Sequence, residues 1–182
     1  GARGTGKTAL LSLLSETALE HDWIAANVSA MPGMLEDIIE RTEEAADSYL
    51  SQPHARINGV QIGPVGIDWT YAQEAQGNWR TRMNGIFKQL EKHDIGLLIT
   101  IDEVTVDLEE MLQFASVYQH FVREGKKVAL LMAGLPYKVS ALLRNDSVSF
   151  LRRSQYHQLG RITDVEIANA FRKTIEAGGR SI

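Results

Sequence analysis

Residues 1 to 8 read GARGTGKT, and this stretch decides how the rest of the chain is interpreted. Gly1, Gly6, Lys7 and Thr8 stand at the fixed positions of the pattern G-x-x-x-x-G-K-[ST], the Walker A motif. Glycines let backbone N–H groups turn inward around a phosphate, and a helix that follows directs its positive N-terminal end at the same anion. The stretch therefore predicts a phosphate-binding loop that opens a helix.

The residues of this loop have separate predicted roles in binding a nucleotide. Lys7 supplies a positive charge that reaches the β and γ phosphates, and the Thr8 hydroxyl is suited to ligate Mg²⁺. The whole loop is predicted to hold the phosphates, and it consists of Gly1, Ala2, Arg3, Gly4, Thr5, Gly6, Lys7 and Thr8. Leucines recur at helical spacing directly after the loop, so we expect a helix over residues 7–20.

A second stretch, LLITIDEV at residues 97–104, is a continuous apolar run that ends in two carboxylates, which is a Walker B pattern. Asp102 is predicted to hold the metal through water, and Glu103 to orient and polarise an attacking water. Parallel sheets place ligands at the carboxyl ends of their strands, so we expect both carboxylates to lie beside the phosphate loop. The alternative interpretation is an exposed acidic turn after a buried strand.

Apolar runs and amphipathic stretches alternate along the rest of the chain. We expect buried strands over residues 23–28, 95–101 and 127–133, and a further short strand near 156–159. Further helices are expected over 34–50, 79–93, 106–125, 136–144 and 163–177, and residues 53–72 read as an irregular excursion or a hairpin. This alternation predicts an α/β fold with a parallel sheet.

The composition excludes several classes of function. With 19 Lys+Arg against 23 Asp+Glu, the 182 residues carry a net charge of −4, so no overall basic field attracts nucleic acid. The chain has no cysteine, which excludes thiol nucleophiles and cysteine zinc sites and fits a cytoplasmic location. No apolar run approaches the ~20 residues of a membrane span, so we expect no membrane segment.

Some side chains are interpreted as structural rather than functional. The apolar stripe in residues 106–125 is expected to be core, and it consists of Met111, Phe114, Val117, Tyr118 and Phe121. A small basic group is expected to be a solvated helix face rather than a DNA contact, and it consists of Arg80, Arg82 and Lys88. The five histidines lack the spacing of metal ligands.

These motifs resemble the AAA+ class of P-loop ATPases, specifically prokaryotic ATPases similar to archaeal, replication-initiator and transposition-helper ATPases. The resemblance runs from residue 1 to about 177 and is carried by GARGTGKT and LLITIDEV, and more weakly by VALLMAGLP and SFLRRSQYHQLGRITDVEIANAF. It implies a P-loop three-layer α/β sandwich with a parallel sheet. The chain from 1 to 182 is then one ATPase core, with an insertion at about 53–72 and the start of a lid after about 163.

The resemblance also implies partners and further site residues. The family places an arginine finger just before the last core strand, where it reaches the nucleotide of a neighbouring subunit in a homo-oligomer. Arg152 and Arg153 occupy that place, with Arg144 as a weaker candidate, and the alternative is a pair of solvated surface arginines. DNA or protein partners are implied through domains outside this chain.

Three functions are open on these observations. The first is Mg²⁺-dependent ATP hydrolysis that couples the nucleotide state to a partner. The second is a switch or adaptor that binds ATP and hydrolyses it slowly or not at all, because the turn at residues 133–136, AGLP, lacks the polar sensor residue of the family. The third is a small-molecule kinase, for which no lid arginine cluster or acceptor site is visible.

The position of the phosphate loop leads to one expectation about the sheet. A P-loop follows a buried strand, and Gly1 is already part of the loop. We therefore expect the first strand and most of the lid to lie outside this chain. The sheet is then predicted to have a gap or an unpaired edge beside the strands that end at Asp102 and Ala133.

Overall fold

Three apolar runs of the sequence form a parallel sheet in a computed structural model that describes residues 6–51, 56–57, 60–61, 78–160 and 163–178. The strands are β1 (Trp23–Ser29), β4 (Gly96–Asp102) and β5 (Val128–Met132), in the order β1-β4-β5. The central strand β4 is buried along its length except at Asp102, as expected for a parallel strand that is covered on both faces. The chain is therefore an α/β protein.

The helices follow the predicted alternation closely. They are α1 (Lys7–Leu19), α2 (Met34–Ser51), α3 (Trp79–Lys92), α4 (Glu109–Arg123), α5 (Pro136–Arg144) and α6 (Asp164–Ala177). A 3-10 helix, which the sequence pattern did not predict, spans Asp146–Arg153. A capping box begins α6, because the Thr163 and Glu166 side chains each accept from the other's backbone N–H. No helix in the described ranges is long and apolar enough to cross a membrane.

Helices pack on both faces of the sheet. Asn27 of β1 accepts hydrogen bonds from Ser15 of α1 and from Thr100 of β4, each at 2.7 Å, so these three side chains meet on the α1 face. Because side chains alternate along a strand, Ala26 and Val28 point to the opposite face. There they join the main core, to which α2, α3 and α4 contribute. The arrangement is compatible with a three-layer α/β fold.

The core on that second face is rich in aromatic rings. Phe121 packs edge-on against Phe87 with ring centroids 4.9 Å apart, and Trp79 lies 5.8 Å from Phe121 and 5.7 Å from Phe114. The predicted apolar stripe of α4 is confirmed as core, since four of its five members are buried and Val117 packs against them. Aromatic pairs in this geometry stabilise a core beyond the area that they bury.

The expected gap in the sheet is wrong. β4 and β5 pair directly in parallel register from Leu97 with Val128 to Ile101 with Met132, which leaves no space for another strand between them. Both runs are apolar throughout, so each can lie beside the other in a buried ladder without exposing a polar face. In the described part of the chain, β5 forms one edge of this sheet, which agrees with the other alternative, an unpaired edge beside the strand predicted to end at Ala133.

Two further expectations need correction. Residues 155–160 have no regular secondary structure, so the short strand predicted at 156–159 is wrong. A strand needs a partner for its backbone N–H and C=O groups, and no described strand pairs with this segment. The helix predicted from residue 106 begins at Glu109, because the Thr105 hydroxyl donates to Asp107 at 2.9 Å in a preceding turn.

The predicted irregular excursion is described only in part. β2 (Arg56–Ile57) and β3 (Val60–Gln61) form a short antiparallel pair, which agrees with a hairpin at this place. The other residues of the 53–72 segment lie outside the described residues.

The predicted basic group is largely used in ion pairs within the chain. Arg82 makes a bidentate pair with Glu36 at 2.6 and 2.7 Å, which joins α3 to α2, and this hydrogen bonding holds the pKa of Glu36 below its usual value. Arg80 pairs with Glu124 at the end of α4. Two of the three basic side chains thus connect helices.

Gly96→Ala is expected to destabilise the protein by about 1–3 kcal/mol, because the new methyl group has no room. Gly96 pairs with Trp23, and an added Cβ would lie 2.6 and 2.7 Å from Cε2 and Cε3 of the indole and closer still to Cδ2. Chemical denaturation measures the change. Gly160→Ala is the control, since a Cβ there meets open space, and it should change stability by less than about 0.5 kcal/mol.

Candidate functional site at the carboxyl edge of the sheet

The described part of the predicted phosphate loop is its last three residues. Gly6 has a left-handed backbone with φ of 76°, a conformation that glycine adopts at little cost, and its carbonyl accepts the first helical hydrogen bond from Leu10. Lys7 and Thr8 form the first turn of α1. The predicted positions Gly1, Ala2, Arg3, Gly4 and Thr5 lie outside the described residues.

The Walker A and Walker B motifs meet through a direct side-chain contact. The Thr8 hydroxyl donates to Asp102 Oδ2 at 2.5 Å, although the two residues are 94 positions apart. Asp102 is the last residue of β4, and α1 packs on β1 and β4, so the fold brings the helix N-terminus to this strand end. The hydroxyl and the carboxylate that the sequence assigned to a metal are therefore neighbours.

Glu103 has an unusual backbone conformation. Its φ of 56° lies in the left-handed region, which a residue with a side chain rarely adopts, and its N–H donates to Asp102 Oδ1 at 2.8 Å. Such conformations cost of order 1–3 kcal/mol and concentrate at functional sites. The chain turns sharply here, and the Glu103 side chain is exposed.

Neighbouring strands hold this turn in place. The Asp102 carbonyl accepts from Ala30 N–H at 2.9 Å, and Val104 N–H donates to the Ala133 carbonyl at 3.0 Å. The backbone that carries the two carboxylates is therefore held between the ends of β1 and β5. A site built on strand ends keeps its geometry better than one built on a free loop.

A hydrogen bond between polar side chains joins the α1 helix to β1 of the same sheet. Ser15 is buried one helical turn after Leu11. Its hydroxyl donates to Asn27, which also accepts from Thr100. Buried hydroxyl groups such as those of Ser15 and Thr100 are costly without partners, so this shared hydrogen bonding favours one position of α1 on the sheet. The position of Lys7 and Thr8 follows from it.

A cavity of about 780 Å³ lies where these elements meet. It is lined by Gly6, Lys7, Thr8, Ala9, Asp102, Glu103, Gly134, Leu135, Tyr137 and Lys138. Its volume is within the range of ~300–1,000 Å³ that is typical of small-molecule sites. The structure thus brings Lys7, Thr8, Asp102 and Glu103 to one cavity and adds a wall from the start of α5.

The sequence interpretation missed Tyr137 and Lys138, which α5 contributes to the lining of the cavity. The turn after β5 carries no polar residue as far as Pro136, and Tyr137 and Lys138 are the next two residues. The rule that ligands bind at the carboxyl ends of parallel strands could have included them.

The predicted arginine fingers lie elsewhere. The Arg152 guanidinium donates to the Leu143 carbonyl at 2.7 Å and pairs with Asp146 at 3.2 Å, so it fastens the 3-10 helix to the end of α5. Arg144 donates from Nε to the Ser140 carbonyl at 3.1 Å. Arg153 is exposed and makes no hydrogen bond or ion pair with a described residue.

Arg152 and Arg153 line a second, more apolar groove of about 530 Å³ along the free edge of β5. Leu10 and Leu14 of α1 and Tyr118 of α4 also contribute to it, and burial raises the pKa of Tyr118 to about 12. Lys7 lies on the border of both cavities. A finger role for either arginine concerns a neighbouring subunit and stays a prediction.

The donor set for a metal is small. Among the described residues no group of three or more His, Cys, Asp or Glu side chains is placed to hold a metal ion. Mg²⁺ usually binds through one or two protein ligands together with waters and substrate phosphates, so a hydroxyl and one carboxylate suffice in a nucleotide site. The Thr8 and Asp102 oxygens fit that pattern.

The chain is an α/β protein with a cavity at the carboxyl edge of its parallel sheet, and charged side chains contribute to the lining of that cavity. Comparison with models of known protein families matches none of them, and comparison with curated proteins gives no significant match. The function is therefore inferred from the residues of the site and their geometry.

Proposed function

We propose that this protein binds ATP with Mg²⁺ and hydrolyses it, as a P-loop domain of AAA+ type with a three-layer α/β core. The observation that carries the proposal is the hydrogen bond from Thr8 to Asp102, which joins the ends of two separate sequence motifs beside Lys7 and Glu103. An exposed acidic turn of no function would not need to meet the start of α1. The groups expected to bind phosphate, to bind Mg²⁺ and to orient water thus line one cavity.

The chain's own groups divide the work of binding. Lys7 and the N–H groups at the start of α1 hold the phosphates, since a helix N-terminus and an ammonium group both favour anions. Thr8 and Asp102 hold the metal, which, when bound, neutralises the charge that develops on the phosphate oxygens. Nothing in this set requires a further protein ligand.

Glu103 activates the attacking water. Its carboxylate orients a water molecule towards the terminal phosphorus and accepts the proton that the water loses. The new oxygen–phosphorus bond forms as the bond between that phosphorus and the β-phosphate oxygen breaks, so ADP and inorganic phosphate are the products. The fixed turn at Glu103 supports this role because orientation contributes much of the rate in phosphoryl transfer.

A second function is favoured by one specific observation. Gly134 and Leu135 line the cavity at the end of β5 and present no polar side chain, where the AAA+ family has a polar sensor. In this alternative the protein is an ATP-dependent switch or adaptor that hydrolyses slowly or not at all. Partners from DNA or protein, a homo-oligomer that uses Arg152 or Arg153, and a cytoplasmic location belong to both proposals.

Lys7→Ala tests the proposal directly. We expect the affinity for MgATP to fall by about tenfold to a hundredfold, because a charge-assisted contact to phosphate is worth ~1.5–3 kcal/mol. Equilibrium titration with a fluorescent ATP analogue measures the change. Lys88→Ala, which removes an exposed lysine on α3, is the matched control and should bind as the wild type does. A wild-type chain that binds no ATP in the presence of Mg²⁺ contradicts the proposal.

A further inference from the structure

We infer that Lys138 contacts the terminal phosphate of the bound nucleotide and makes the site discriminate a triphosphate from a diphosphate. The inference rests on the proposed function, because it assigns a further residue to the same cavity. Lys138 belongs to neither sequence motif and lies on α5, two residues beyond the turn that was expected to carry a sensor.

The fold places the start of α5, which carries Lys138, at the cavity. α5 begins at Pro136, directly after β5, and β5 pairs with β4 along its whole length. The hydrogen bond from Val104 N–H to the Ala133 carbonyl joins the two strand ends where they reach the cavity. Lys138 therefore faces the cavity from the β5 side, while Lys7 comes from α1.

The surroundings of Lys138 differ from those of Lys126 and Lys127. Lys126 pairs with Glu91 and Lys127 pairs with Asp94, so each has a carboxylate partner. Lys138 is half-buried and makes no hydrogen bond or ion pair with a described residue. A lysine without an anionic partner among the described residues, on the wall of a cavity, is suited to an anionic ligand.

The charges of the cavity indicate which part of the nucleotide Lys138 meets. Lys7 and the start of α1 serve the phosphates next to the loop, and Thr8 and Asp102 serve the metal. Glu103 must face the terminal phosphate to orient water, and the wall from Gly134 to Lys138 lines the same cavity. The third phosphate adds negative charge where Asp102 and Glu103 are already negative, so a further cation beside Lys7 stabilises it there. Lys138 supplies that cation in place of the missing polar sensor.

The test compares the affinities of the full chain for a non-hydrolysable Mg²⁺–ATP analogue and for Mg²⁺–ADP. Lys138→Ala should weaken binding of the triphosphate about tenfold and change ADP affinity less than about twofold, because ADP lacks the contacted group. Lys138→Arg should restore most of the loss, since it keeps the charge. Lys88→Ala should change neither affinity. A melting temperature equal to that of the wild type shows that the variant is folded.

The outcomes separate the two proposals. If the wild type binds the triphosphate and Lys138→Ala keeps the wild-type ratio of the two affinities, the role of Lys138 is overturned while the proposed function stands. An equal loss for ATP and ADP also overturns it, because the effect is then not specific to the third phosphate. If the wild type binds neither nucleotide, both proposals fail.

Discussion

Glu103→Gln is expected to lower the rate of ATP hydrolysis by about a hundredfold to ten-thousandfold, the range for loss of a positioned general base. Glutamine keeps the length and shape of the side chain but cannot accept a proton from water. Steady-state phosphate release measures the rate, and equilibrium binding of ATP measures occupancy. Affinity should stay within about threefold of the wild type, because the residues assigned to the phosphates and the metal are untouched.

The structure indicates that Glu103→Gln leaves the neighbouring contacts unchanged. The Glu103 side chain is exposed, and its contact with Asp102 is made by the backbone N–H, which glutamine retains. Glu109→Gln removes another exposed carboxylate close by in the chain and should leave the rate unchanged. Wild-type hydrolysis that is unaffected by Glu103→Gln contradicts the assigned role, whereas a wild type that binds ATP without hydrolysing it favours the switch.

The sequence predicted those features of the site that follow from a local sequence pattern. Walker B carboxylates follow an apolar strand, and the carboxyl ends of parallel strands share one edge, so the meeting of Asp102 with Thr8 follows from order and spacing. The core stripe on α4 was predictable for the same kind of reason, because helical spacing alone places Phe114 and Phe121 on one face. The roles in nucleotide binding and catalysis stay predictions.

The features that sequence reasoning missed depend on which elements become neighbours. A run such as residues 156–159 reads as a strand, but whether a strand forms depends on a partner elsewhere in the chain. The direct pairing of β4 with β5 is likewise a property of strand order, which no local pattern encodes. The same holds for Arg152, whose guanidinium is used at the end of α5, and for Lys138, which reaches the cavity only because β5 lies beside β4.

Phe121→Ala is expected to destabilise the protein by about 3–5 kcal/mol, the usual cost of removing a buried phenyl ring. Phe121 is 0% exposed and contacts the rings of Phe87 and Trp79, which belong to α3. Its removal leaves a cavity between α3 and α4 and takes away two aromatic contacts at once. Urea denaturation followed by circular dichroism measures the loss as a shift in the midpoint at constant slope.

Val122→Ala is the matched control, because it shortens the next side chain of the same helix on its solvent face. Val122 is 53% exposed, so its truncation should change the free energy of unfolding by less than about 0.5 kcal/mol. Alanine also has a higher helix propensity than valine, which offsets part of the small loss of stability. Equal losses for Phe121→Ala and Val122→Ala would contradict the packing of α4 on α3, because only one of the two side chains lies in that interface. A large loss for Phe121 alone supports a core that holds α3 and α4 together on the face of the sheet opposite α1, independently of whether any nucleotide binds.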